Sequence, residues 1–307
     1  MPDPDRAFRA LIGFAVLAVL ILAGGSIRLL LAGAQPTGTS HSATDITCLF
    51  LPTTKDAGTH LLSYLLLGVV LIGSTMGIRA VIAQSRKNGL FSRLGHLKMD
   101  QSWSRLDQLA TRLGMASSVV LVHSTQPKAF CYGLLRPRIC VTTALVERLT
   151  ESELEAVLLH EKYHLEKHDP LKVAIGRIVT TSLFFLPVVK SLYDRYLIAK
   201  EIAADEKAIR EQGQRRSLAS ALDKLLALNG TGYSNLVEEA EGVGLMNHRI
   251  DFLLGSKPSA WDRLPPLAMA TSVVVLALGM VALIAPVEAL RGLALFGLGS
   301  QTWCHAA

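Results

Sequence analysis

The sequence predicts an α-helical membrane protein built around an α+β core, with about three transmembrane helices and a membrane-associated helical hairpin. Two observations carry this. Half of the residues are hydrophobic and the mean hydropathy is +0.37, above what a water-soluble core requires. Three apolar runs of spanning length lie towards the two ends of the chain. They bracket a polar region in which helix-like and strand-like patterns alternate.

Residues 10–34 form the first run, preceded by Arg6 and Arg9. The "AGA" at 32–34 imitates a signal-peptidase site, but the apolar stretch is too long for a signal peptide, so residues 1–34 are expected to be an uncleaved anchor. The second run is 60–83. Between the two, Lys55 is the sole lysine or arginine, whereas residues 84–98 are rich in both. The positive-inside rule therefore predicts an external loop at 35–59 and a cytoplasmic N-terminus and 84–262 region. A third transmembrane helix is expected at 263–286, where 265–286 carries no charge, followed by an external tail at 287–307.

The net charge of +6 and pI of 9.2 fit basic residues gathered on the cytoplasmic side of a bilayer. No aromatic and basic interleaving accompanies them, so the bilayer is the expected partner and direct nucleic-acid binding is not. The 4 cysteines contain no CxxC pair, which excludes a cysteine-based metal knuckle. Cys48 and Cys304 would lie on the same external side, where pairing and independent thiols are both open; Cys131 and Cys140 are expected to stay reduced.

Within the polar region, Leu106, Leu109 and Leu113 recur at helical spacing. Residues 117–124 are β-branched and strand-like, and 129–143 read as a hairpin around a turn containing Gly133 and Pro137. Thr150 and Glu153 form a capping-box pattern that starts a helix, and Pro170 marks its end. Residues 172–198 are apolar but contain Arg177, Pro187, Lys190, Asp194 and Arg195. They read as a kinked helical hairpin that dips into or lies against the inner leaflet, because a single crossing would separate residues that must meet.

Those residues begin with His160 and His164, spaced i, i+4 on the capped helix, so both imidazoles face one way. Glu161 lies about 100° round the helix, placed to reach a water on a shared ion without binding the ion itself. Zinc suits this donor set, because it takes imidazole nitrogen, prefers four ligands and acidifies bound water. Downstream, Ile198, Ile202, Asp205 and Ile209 make an apolar stripe, with Glu201 on nearly the same face. Carboxylates there are costly unless they are paired or metal-bound. The functional reading makes Glu201 the third ligand and Asp205 the group that fixes a histidine tautomer. Solvent-facing histidines and cation-paired carboxylates are the bland alternatives. His168 reads as a helix-end histidine beside the C-terminal dipole.

"HEKYH", "HDP" and "EIAAD" together resemble the HExxH…ExxxD layout of integral-membrane zinc (gluzincin) peptidases, which implies a zincin-like metallopeptidase core. Two branches share that layout: the heat-shock and prenyl-protein proteases, and the peptidase part of beta-lactam sensor-transducers of the BlaR/MecR type. The stretch 126–170 and "LFFLPVV" look more like the second branch, and the resemblance covers roughly 100–255. It implies Zn2+ as cofactor, His160, His164 and Glu201 as ligands, Glu161 as general base and Asp205 behind a ligand. It also implies that the strand Arg138, Ile139, Cys140, Val141 and Thr142 is the cleft edge on which an extended substrate adds. Arg249, or less readily His248, would assist the oxyanion or touch substrate. A cytoplasmic helix-turn-helix repressor would be a plausible protein substrate. Sensor-transducers carry a penicillin-binding-like domain after the last span; only about 20 residues follow here, without SxxK, so direct beta-lactam sensing is not expected. The competing readings are a quality-control protease acting on membrane proteins and a non-catalytic signalling or scaffold protein. An intact Glu161 and intact ligands weigh against the last.

Overall fold

The computed structural model describes residues 3–33, 68–69, 71–80, 82–83, 101–229, 248–255 and 264–284. The expected external loop and tail, with Cys48 and Cys304, lie outside the described residues. The helices are α1 (Pro4–Gly33), α2 (71–80), α3 (Gln101–Arg112), α4 (Thr143–Arg148), α5 (Glu151–Lys167), α6 (Asp169–Ser182), α7 (Pro187–Gln212), α8 (Arg216–Asn229), α9 (248–253) and α10 (Pro266–Ile284). Three short strands, β1 (Val119–Val122), β2 (Ala129–Tyr132) and β3 (Arg138–Thr142), complete the fold.

The β-branched run at Val119–Val122 forms β1, as its composition requires. Phe130 opposite Cys140 and Cys131 opposite Ile139 define the antiparallel β2–β3 hairpin. Its turn needs Gly133, at φ +90°, because an added Cβ would sit 2.6 Å from the Arg136 carbonyl oxygen. The sheet order is β1-β3-β2, with β1 parallel to β3. This corrects the expectation for Arg138, Ile139, Cys140, Val141 and Thr142. That strand is the middle of the sheet, its two sides already bonded to β1 and β2, so no further strand can add to it. The edge on the α5 side is β2.

One apolar core joins this sheet to α3, α4, α5 and α8 through Leu106, Leu121, Ile139, Val141, Leu145, Leu154, Leu158 and Ala221. The α3 leucines seen in the sequence pattern, Leu106 and Leu109, are buried in it. Arg105 ties α3 to the α4 end, donating to the Val146 and Leu149 carbonyls at 2.9 and 2.8 Å.

A second core is built from α1, α6, α7 and α10: Leu11, Ala15 and Ala18 meet Leu183, Leu186, Val189, Tyr193 and Tyr196. Here α6 and α7 form the expected hairpin. They run antiparallel about the Leu183–Leu186 turn, with Tyr193 beside Val173 and Tyr196 beside Asp169. Pro187 opens α7, where its missing N–H costs nothing. Gly176 lets the helices close, since a Cβ there would lie 2.4 Å from the Tyr193 ring. The outer faces of α1 and α10 are apolar as well: Leu20, Val16, Leu267, Val273 and Leu278 are exposed. Among the described residues one helix is long and apolar enough to cross a bilayer, over Pro4–Gly25 with a hydropathy of 2.3; Pro266–Val281 is a shorter apolar helix.

Candidate metal centre

α5 is fixed at its start by both halves of the capping box. The Thr150 N–H donates to Glu153 Oε2 at 2.8 Å, and the Glu153 N–H to Thr150 Oγ1 at 3.3 Å. Glu153 also accepts from Ser220 at 2.6 Å and Lys224 at 2.7 Å, which locks α8 against α5. At the other end His168 takes the left-handed conformation, φ 53° and ψ 39°, and caps the helix. The chain reverses there, and Asp169–Pro170 open α6 at once. His168 itself is exposed, as a helix-end residue should be.

This frame brings His160 and His164 of α5 together with Glu201 of α7. One donor atom from each lies within 4.8 Å of the others. His160 Nε2 is 3.2 Å from His164 Nε2 and 3.3 Å from Glu201 Oε2, and His164 Nε2 is 3.7 Å from Glu201 Oε1. Ligands about 2.05 Å from a tetrahedral ion would stand about 3.3 Å apart, close to the two shorter separations here and about 0.4 Å under the 3.7 Å from His164 to Glu201. Two imidazoles and a carboxylate at that spacing fit a zinc ion.

The far nitrogens are held as metal-binding histidines require. His160 Nδ1 is 2.7 Å from Asp205 Oδ1. Asp205 is fully buried and also accepts from Arg249, at 2.9 Å from Nε and 2.7 Å from Nη2. His164 Nδ1 is 2.6 Å from Asp169 Oδ2, and the Tyr196 hydroxyl donates to Asp169 Oδ1 at 3.2 Å. Asp169, Tyr196 and the flanking Lys200 are additional to the set read from sequence. Lys200 Nζ lies 2.5 Å from Glu201 Oε1.

Electrostatics follow from this packing. Burial and the Arg249 charge both push His160 towards neutrality, yet Asp205 and Glu201 outweigh them and raise it to about 9. Burial opposes ionisation of Glu201 and Asp205 too, but the cations around each hold both carboxyls down: Lys200 first for Glu201, Arg249 first for Asp205. Glu161 is buried one residue beyond His160. Its charge bears on the hairpin: burial, then Glu161, pushes the Cys140 thiol up to about 11, and both also raise Cys131. α5, the helix that carries Glu161, packs against β2 and β3, and both cysteines remain thiols.

Arg249, on α9, reaches the cluster as a fork on Asp205, with Nη1 3.6 Å from Glu201 Oε2. His248 is half-buried on the same short helix.

Comparison with known proteins now bears on this geometry. A model of the BlaR1 peptidase M56 family matches residues 32–253. The chain belongs to that family. The M56 match covers the described α1 end, the sheet, both histidines, the α6–α7 hairpin and α9. Among curated proteins, the chain is 27% identical to Protease HtpX homolog 2 of Methanosarcina acetivorans, over 57% of this chain and 72% of that protein. It is 33% identical to a Protease HtpX homolog of Bordetella pertussis, over 31% of this chain and 33% of that protein. A Protease HtpX homolog of Acidiphilium cryptum is 28% identical, over 40% and 54%. The last two of these alignments span about half of the relative or less. Membership in M56, with relatives of the HtpX type, places this chain among membrane-bound metallopeptidases.

Proposed function

We propose that this M56 member is a membrane-bound zinc endopeptidase whose ligands are His160, His164 and Glu201 and whose general base is Glu161. The observation that carries this is the convergence of three donor atoms at tetrahedral spacing, with both imidazoles backed by buried carboxylates. Zinc held there would polarise the scissile carbonyl and make a water nucleophilic at neutral pH. Glu161 takes the proton of the attacking water and delivers it to the leaving amine nitrogen as the C–N bond breaks. Asp205 and Asp169 hold the imidazoles in the tautomer with Nδ1–H, leaving each Nε2 lone pair directed at the cluster. Arg249 keeps Asp205 ionised and in place, a positioning role rather than contact with the oxyanion.

An extended substrate adds along β2, Ala129–Tyr132, the outer strand of the sheet among the described residues and the one packed beside α5. The substrate is a cytoplasmic or inner-leaflet protein. Regulatory cleavage of a helix-turn-helix repressor fits the M56 match, and quality control of membrane proteins fits the relatives named as HtpX proteases. α1, α2 and α10 lie in the bilayer, and the α6–α7 hairpin rests against its inner leaflet, consistent with the apolar outer faces of α1 and α10. Comparative profiling of new protein N-termini tests the assignment, using cells that carry the wild type or Glu161→Gln. The proposal expects peptides that depend on Glu161; identical profiles would remove it.

A further inference from the structure

The two histidines are braced from different parts of the molecule. His160 leans on Asp205, which Arg249 secures within the peptidase unit. His164 leans on Asp169, which Tyr196 of the hairpin secures. That second brace continues into the anchor helix. The Phe8 ring lies 5.2 Å from the fully buried Tyr196 ring, centroid to centroid, tilted by 51°. Three residues earlier, Asp5 grips both sides of the turn that presents Asp169: its Oδ1 is 2.6 Å from Lys172 Nζ and its Oδ2 3.4 Å from Lys167 Nζ. Leu11, Ala15 and Ala18 continue the same face of α1 into the α6–α7 core, so the first turn is not free to drift.

We propose that the first turns of α1 position the metal centre: Asp5 and Phe8 hold the α5–α6 turn and Tyr196, and through them the Asp169 carboxylate on His164. This rests on the reading of His164 as a zinc ligand. Asp5, Phe8 and Tyr196 are positioning residues, since none of them reaches the cluster itself. The consequence is that the register of the anchor helix against the hairpin sets metal affinity and turnover, while the β2 edge and hence KM are left alone.

The test uses the full chain in lipid nanodiscs. Zinc dissociation is measured by chelator competition, the cobalt-substituted protein by its visible absorption, and folding by thermal unfolding. Phe8→Ala, Tyr196→Phe and Asp5→Lys should each weaken zinc by about tenfold, the lower end of what groups behind a ligand contribute, and change the cobalt spectrum. The exchanged pair Asp5→Lys with Lys172→Asp should restore most of the loss. Arg9→Gln, which breaks an exposed pair with Asp3 just before the same helix, should match the wild type. Wild-type affinity and spectrum in all three variants would overturn the relay. So would a loss that tracks the melting temperature and is not restored by the exchange. A wild type that binds no zinc would remove the peptidase assignment and the relay together, whereas a wild type that binds zinc with unaffected variants removes the relay alone.

Discussion

Asp205→Asn keeps the shape of a fully buried side chain and removes its charge. In the wild type one carboxylate meets two demands: it holds His160 Nδ1 at 2.7 Å and takes the Arg249 fork at 2.7 and 2.9 Å. Without the charge, a guanidinium whose side chain is only 15% exposed loses its main partner. Breaking a buried pair from one side costs about 3–5 kcal/mol. Arg249 Nη1 already lies 3.6 Å from Glu201 Oε2, so the freed cation turns to that carboxylate and competes with the metal. Losing a group behind a ligand costs about 10–100-fold in metal affinity, or roughly 1.4–2.7 kcal/mol. Both effects are measurable on one preparation, by thermal unfolding of the metal-free protein and by chelator competition for zinc. Adding Arg249→Met separates them, because stability should return when both charges are gone while zinc affinity should not. If Asp205→Asn binds zinc as tightly as the wild type and melts at the same temperature, the bracing argument is wrong.

Other outcomes follow from the same geometry. Glu161→Gln should retain zinc and lose cleavage by about 10²–10⁴-fold, read in a purified peptide assay against the metal content of the same sample. Glu153, buried yet held at about 2 by Lys224, Ser220 and Thr150, lies below its ordinary 4.5. Its folded pKa is depressed, so its stabilisation is present above pH 4.5 and is lost as pH falls towards 2. That stabilisation amounts to at most about 3 kcal/mol. Denaturant midpoints of the metal-free protein over that range should fall more steeply for the wild type than for Glu153→Gln. Blocking the β2 edge by an engineered cross-strand segment should raise KM with little change in zinc content, whereas unchanged KM would place the substrate elsewhere.

Local signals were readable where the physics is local. The spacing of His160 and His164, the capping box and the carboxylates on the Ile198–Ile209 stripe each depend on one helix. The α6–α7 hairpin was legible for a different reason: the need to bring two helices to one point excluded a single crossing. The edge assignment of residues 138–142 failed because sheet order is set by which strand pairs beyond the hairpin, and β1, the strand just before the hairpin, crosses over to pair with the far side of β3. The role of Asp169 was hidden too. It depends on a non-glycine residue, His168, adopting a left-handed conformation that turns the next carboxylate back beneath His164. Contacts between Phe8 and Tyr196 join elements almost two hundred residues apart, and no spacing rule reaches that far.

Zinc K-edge X-ray absorption on the purified chain tests the central claim most directly. Two imidazole nitrogens and a carboxylate oxygen should appear at about 2.0–2.2 Å in the wild type and in Glu161→Gln, with the carboxylate contribution lost in Glu201→Ala. A spectrum without imidazole ligation, or one that Glu201→Ala leaves unchanged, would contradict it.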